Sequence, residues 1–197
     1  MKIIIILAIC TTLLQNCTIK QGSHTKWLRK ELIIPSDTSK LKVKNNNTDF
    51  NLWNNNNNLK LIVTINGECG SCIEKLKEIQ KFMQEIQIIN TDISLLLFVY
   101  SPISDFYNFE EMNSHIINFN YPIIYDPENL FVIRNKTIPI QLFSMFLCNA
   151  ENKILVYGDF TKNDKLKQLY LKEIDKNAIP NMIDSPIKQQ IIKNNCP

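Results

Sequence analysis

Hydrophobic order along this chain comes in two blocks. Ile3 to Leu14 is almost purely apolar, and regular patterning then lapses until Leu59, apart from one apolar patch at Trp27 to Pro35. Leu59 to Ile65 is a β-rich run that predicts a buried strand. Ile73, Leu76, Ile79, Met83, Ile86 and Ile89 then recur at steps of three and four, with Glu74, Lys75, Lys77, Glu78, Lys81 and Glu85 mostly opposite, which predicts a long amphipathic helix. Ser94 to Tyr100 reads as a second buried strand, Phe106 to Phe119 as a helix, Pro122 to Tyr125 as a short strand, and Leu130 to Arg134 as a turn or short helix. After Pro139, Ile140 to Cys148 and Lys153 to Tyr157 form a hairpin about Asn149-Ala150-Glu151-Asn152, and Asn163 to Lys176 is the last helix. Strands alternating with helices, closed by a hairpin and a helix, predict an α/β domain: a mixed sheet with helices on both faces.

The first apolar block has a different meaning. Lys2 precedes it, its length is too short for a permanent membrane span, and Cys17 follows directly, which suits an export signal. Leu14-Gln15-Asn16-Cys17 resembles a bacterial lipoprotein cleavage box, which implies acylation of Cys17 and a membrane-anchored protein of the cell envelope, facing the periplasm or the cell exterior. Leu14 matches that box; Gln15 and Asn16 depart from it, since small residues are usual there. A plain secretory signal, or an uncleaved anchor with Cys17 incidental, is the alternative. The expected organisation is a signal segment at 1–16, a lipid-anchored tether at 17–58, a folded domain at 59–176 and a C-terminal tail at 177–197.

Composition narrows the function classes. The 197 residues are 45% hydrophobic, sufficient for one packed core, and the net charge of +3 comes with no dense Lys/Arg stripe, so no nucleic-acid partner is expected. Of six cysteines, Cys10 leaves with the signal and Cys17 carries lipid, which leaves Cys69, Cys72, Cys148 and Cys196. Export puts these where disulfides persist, yet they are too few for a disulfide scaffold.

Cys69-Gly70-Ser71-Cys72 stands where the first strong strand meets the long helix. Cys69 is expected at the helix N-terminus, where unpaired N–H groups and the dipole favour a thiolate, with Cys72 one turn on and more buried. Gly67 and Gly70, two of only four glycines, are expected to let the backbone turn tightly around the sulfurs. A zinc knuckle needs four ligands, and only His24, His115, Cys148 and Cys196 remain to complete one, with no second C-x-x-C or H-x-x-H. A purely structural pair is the other competitor. Strand, C-x-x-C and helix in an exported chain point instead to redox chemistry, with no metal.

In these residues the chain resembles the thioredoxin superfamily. Thr137-Ile138-Pro139, just before a strong strand, is the second matching element. The resemblance implies that Pro139 is a cis-proline lying against the cysteines and that Ile138 offers its backbone to substrate; read alone, Pro139 is an ordinary strand-opening proline. The two strands and two helices between Cys72 and Pro139 resemble the extra strand–helix insertion of membrane-tethered periplasmic thioredoxin-like proteins. Three departures stand beside the match: Glu68 replaces the usual aromatic before the first cysteine, Ser71 replaces proline, and Leu59 to Ile65 contains no acid. A carboxylate at Glu68 disfavours a Cys69 thiolate. Peroxiredoxin and copper-delivery patterns do not fit; His115 reads as solvated or packed, and Cys148–Cys196 is a conceivable tail disulfide.

The expected function is thiol–disulfide exchange on protein disulfides of the cell envelope. Cys69 attacks, Cys72 resolves, Ile138 and Pro139 shape the substrate face, and another thiol protein supplies or accepts electrons. No dissociable cofactor is implied. The alternative is a non-catalytic binding lipoprotein that uses the same fold as a scaffold.

Overall fold

A computed structural model describes residues 25–37, 39–44, 58–90, 92–101 and 106–178. The signal segment, Cys17 and all of the tail beyond 178, Cys196 included, lie outside the described residues. Six strands form one sheet: β1 (Lys42–Lys44), β2 (Leu59–Asn66), β3 (Ile93–Tyr100), β4 (Ile123–Tyr125), β5 (Phe143–Asn149) and β6 (Ile154–Tyr157). Their order is β1-β4-β3-β2-β5-β6. The β2–β3 and β3–β4 pairs are parallel; β2–β5, β5–β6 and β1–β4 are antiparallel. The helices are α1 (Gly70–Glu74), α2 (Leu76–Gln87), α3 (Tyr107–Met112), α4 (Leu130–Arg134) and α5 (Asp164–Lys176). The expected mixed sheet is present.

Central β2 explains why its run is apolar throughout: it pairs on both sides and is covered on both faces. Leu59, Leu61, Val63 and Ile65 face one cluster, with Ile79, Phe82 and Met83 of α2 and Tyr170 and Ile174 of α5. Ile62 faces the other, with Leu96, Phe98, Phe131, Phe146 and Ile138. Phe82 meets Phe160 at 4.4 Å between ring centroids, and Phe98 stacks on Phe131 at 4.7 Å.

Three elements differ from the sequence expectation. The long helix is interrupted at Lys75, although Glu78 and Ile79 N–H both donate to the Lys75 carbonyl at 3.1 Å, so the chain stays helical through it. The 106–119 helix is α3 followed by a π-helical stretch, Asn113–Ile117, closed by Asn118 at φ 49°. The strand expected from Ile140 begins at Phe143. Ile140 N–H goes to the Ile138 carbonyl and Gln141 N–H to Ser144 Oγ, so neither is available to the ladder.

The expected tether also contributes structure. Leu32, Ile34 and Leu41 are buried against the second face, and β1 forms a sheet edge. Arg29 and Leu32 N–H donate to the Ile154 and Asn152 carbonyls at 2.8 and 2.9 Å. The folded unit therefore starts upstream of residue 59, because apolar side chains spaced too irregularly to read as an element are paired by long-range hydrogen bonds.

Candidate functional site

The site is built where β2 ends. Gly67 N–H donates to the Tyr100 carbonyl at 2.7 Å, which locks the exit of β2 to β3. A Cβ on Gly67 would stand 3.0 Å from Val99 Cγ1 and 3.4 Å from the Tyr100 oxygen, so any larger residue would press on the Val99 side chain. Gly70 is different: a Cβ there would meet only Met112 Cε, at an ordinary 3.7 Å. Among the described glycines only Gly158 has a left-handed φ, 128°. The expectation that both glycines serve a tight turn is thus corrected: Gly67 serves packing, and Gly70 is not sterically demanded.

Asn66 organises the turn. Its Oδ1 accepts from Glu68 N–H at 2.8 Å and its carbonyl from Cys69 N–H at 3.1 Å. Cys69 then precedes α1 in extended backbone, φ −86° and ψ 93°, and its carbonyl accepts from Cys72 and Ile73 N–H at 2.8 and 3.0 Å. Cys69 and Cys72 form a disulfide with Cα atoms 5.1 Å apart. The two sulfurs differ in exposure. Cys72 is 4% exposed inside the first core cluster, whereas Cys69 is half-buried at its margin, with Sγ 3.5 Å from Ser71 Oγ.

Glu68 lies exposed beside the pair, where its carboxylate accepts from Ser101 Oγ at 3.5 Å. It lines a groove with Gly67, Asn108, Glu111 and Met112. A second groove, on the β3 and β5 side, is lined by Asn66, Tyr100, Ile140 and Leu142 among others.

Sequence reasoning missed an ion pair one turn beyond Cys72. Lys75 Nζ lies 2.6 Å from Asp159 Oδ2 and 4.3 Å from the centroid of the Phe143 ring. Burial pushes the Asp159 carboxyl upward, but bonds from Lys75 and from the Thr161 hydroxyl and N–H outweigh this and hold it below the ordinary aspartate value. No local signal marks the pair, because its partners are 84 residues apart.

Ile138 and Pro139 are placed elsewhere. Ile138 is buried in the second cluster, on the sheet face opposite Cys72, and the Pro139 carbonyl accepts from Tyr157 OH at 2.8 Å. The expected cis bond is not there: every described peptide bond is trans. In the trans form the Ile138 carbonyl accepts from Ile140 N–H at 2.8 Å, closing a three-residue turn centred on Pro139. Leu142 and Phe143 come beside the cysteine turn instead. The Leu142 carbonyl accepts from Asn66 N–H at 2.8 Å, and Phe143 pairs with Ile65. Leu142 is 63% exposed.

The remaining candidates stand apart from the pair. His115 is exposed in the π-helical stretch. Cys148 is a buried free thiol whose pKa burial drives far upward, an inert state. Among the described residues no group of three or more His, Cys, Asp or Glu is placed to hold a metal ion. No described helix is long and apolar enough to cross a membrane.

No protein-family model matches the sequence, and no curated protein matches it. Solved structures do. A candidate electron transfer protein from Aquifex aeolicus VF5 superposes with a TM-score of 0.51 at 12% identity, over 73% of this chain and 96% of that one. The N-terminal domain of PilB from Neisseria gonorrhoeae gives 0.49 at 16% identity, over 74% and 94%. A solution structure from Neisseria meningitidis, of a candidate thioredoxin, gives 0.48 at 16% identity, over 64% and 80%. At 12% identity the Aquifex likeness speaks for architecture alone; with the mixed six-stranded sheet and the cysteine pair at a strand-to-helix junction, the chain has a thioredoxin-like fold.

Proposed function

We propose that the protein is a thiol–disulfide oxidoreductase acting by dithiol exchange at Cys69 and Cys72. The observation that carries this is the unequal exposure of two disulfide-bonded sulfurs at a strand-to-helix junction. A substrate disulfide can reach Cys69, while Cys72 is shielded from everything except Cys69. Cys69 thiolate attacks one substrate sulfur; the other leaves as a thiolate and takes up a proton. Cys72, deprotonated, then attacks Cys69 Sγ, re-forming the Cys69–Cys72 bond and releasing the second substrate thiolate. The substrate gains two electrons and the pair loses two; the reverse sequence oxidises a dithiol.

The substrate face is assigned to Leu142 and Phe143 rather than to Ile138 and Pro139, because the former adjoin the cysteine turn. Protein thiols and disulfides are the substrate class: Cys69 is half-buried and follows Glu68, which lines an open surface groove. The short apolar start and Cys17 support a lipid-anchored place in the cell envelope. Fatty-acid labelling of wild type against Cys17→Ser tests that part separately.

The exchange reading is tested by insulin reduction with dithiothreitol as electron source, together with trapping. Cys72→Ser should accumulate reductant-sensitive mixed disulfides and Cys69→Ser few. Equal adducts in both variants would mark indiscriminate surface thiols. Absence from both, in folded protein, would favour the scaffold reading, to which Glu68 beside Cys69 and the acid-free β2 lend support.

A further inference from the structure

We propose that the Lys75 ammonium, held in place by Asp159, supplies the charge that stabilises the Cys72 thiolate. This rests on the exchange reading above and deepens it. Resolution of a mixed disulfide requires Cys72 to lose its proton. Burial works against that step, because a thiolate 4% exposed in an apolar cluster is poorly solvated. The strand below the pair, Leu59–Asn66, contains no carboxylate to take the proton and no free cation near its C-terminal end.

Lys75 meets the need by position. Its backbone is helical, φ −65° and ψ −19°, so it lies three residues beyond Cys72 on the same face of the chain, where side chains are neighbours. Two contacts fix the ammonium: Asp159 at 2.6 Å and the Phe143 ring at 4.3 Å. Phe143 and Cys72 belong to the same apolar cluster, so the ammonium is held against the cluster that contains the sulfur. Only 22% of the Lys75 side chain is exposed, so water screens this charge less than an ordinary surface lysine. Asp159 is the positioning residue, itself fixed by Thr161 Oγ1 and N–H at 2.6 and 2.9 Å.

Neighbouring charged and titratable groups are engaged elsewhere or face water; Glu68, before Cys69, accepts from Ser101 Oγ. Glu74 is exposed, Glu78 is engaged by Lys81 at 3.0 Å, and the buried Tyr170 hydroxyl of α5 donates to the Met145 and Gly158 carbonyls. Lys167 of α5 pairs with Glu85 at 2.9 Å. Lys75 thus stands three residues beyond Cys72, with its ammonium against a ring of the cluster that contains Cys72.

The test is the redox equilibrium of the full chain against dithiothreitol across pH, reading the Cys69–Cys72 state by alkylation and site-resolved mass spectrometry. Wild type, Lys75→Met and Lys75→Arg are compared. At acidic pH, with both thiols protonated, the three should coincide. As pH rises, Lys75→Met should become harder to reduce, with an equilibrium constant about tenfold below wild type, the effect of roughly one pKa unit. Lys75→Arg should follow wild type. An offset equal at all pH values would reveal a merely structural role and overturn the proposal. So would no offset, or an arginine variant as impaired as the methionine one. Failure of wild type itself to interconvert reversibly would instead overturn the exchange reading, a result distinct from the others.

Discussion

Asn135 binds Ile33 through both backbone groups of that residue: its Oδ1 accepts from Ile33 N–H at 2.8 Å and its Nδ2 donates to the Ile33 carbonyl at 2.9 Å. Nδ2 also donates to the Phe131 carbonyl at 2.8 Å, so one buried side chain clamps the N-terminal arm to α4. Asn135→Ala removes both side-chain partners of the Ile33 backbone. A loss of about 1–3 kcal/mol is expected in urea unfolding, with cleavage by added protease appearing first in the 25–44 arm. Unchanged stability and an uncut arm would refute the clamp.

Gly67 and Gly70 should respond oppositely to alanine. Gly67→Ala presses its methyl on the Val99 side chain, which should cost about 1–3 kcal/mol and slow insulin reduction by disturbing the cysteine turn. Gly70→Ala places its methyl at ordinary distance from Met112 in the first turn of α1, and should be neutral or slightly stabilising. Thermal melts of the two variants decide it; equal losses would contradict the packing argument.

Glu68 should restrain Cys69. It directly precedes Cys69 in the chain, and a negative charge beside the turn opposes a second one on the thiolate. Glu68→Gln should accelerate mixed-disulfide formation in the Cys72→Ser background by a few-fold at most, since water screens an exposed carboxylate. The gain should shrink in high salt. A slower variant would show that Glu68 assists instead.

Lys60 offers a pH test of the core. Its Nζ donates to the Ala150 carbonyl at 2.9 Å and to Asn152 Oδ1 at 2.7 Å, tying the β5–β6 turn to β2. Burial pulls its pKa below the usual lysine value, while the neighbouring Cys148 and Glu151 act in the opposite sense. Between the folded value and the ordinary 10.5 the unfolded chain binds more protons, so Lys60 makes stability rise with pH in that window. Wild type should therefore gain on Lys60→Met as pH climbs toward 10.5, and hold a constant difference below the window. Urea titrations across the alkaline range measure it.

What the sequence disclosed and withheld follows from the range of the interactions. β2, β3 and the apolar face of α2 were legible because each is a local pattern, buried as a unit. The placement of Cys69 and Cys72 was legible for the same reason, since strand, turn and helix are contiguous. The Asn135–Ile33 clamp spans 102 residues and the Lys75–Asp159 pair 84, and neither partner is unusual in its own neighbourhood. Thr137-Ile138-Pro139 misled as to a cis bond, because strand-opening prolines look alike in sequence. Only the β2–β5 register, Ile65 opposite Phe143, shows which residues of that segment come alongside the sulfurs.

The early docking of the arm bears on how a membrane-held copy would present itself. Residues 29–32 meet the start of β6 and the turn before it, where β6 pairs with the end of β5 opposite the start of β2, whereas Cys69 follows the end of β2. Eight peptide steps separate Cys17 from Thr25, a leash of at most about 29 Å; an unstructured chain from Cys17 to Leu59 would extend to about 150 Å. With an acyl chain on Cys17 the domain would ride close to the bilayer, its arm end inward and its sulfurs turned outward by the length of β2. Partners would then be met within a bounded height above the lipid rather than across the reach of a 42-step tether.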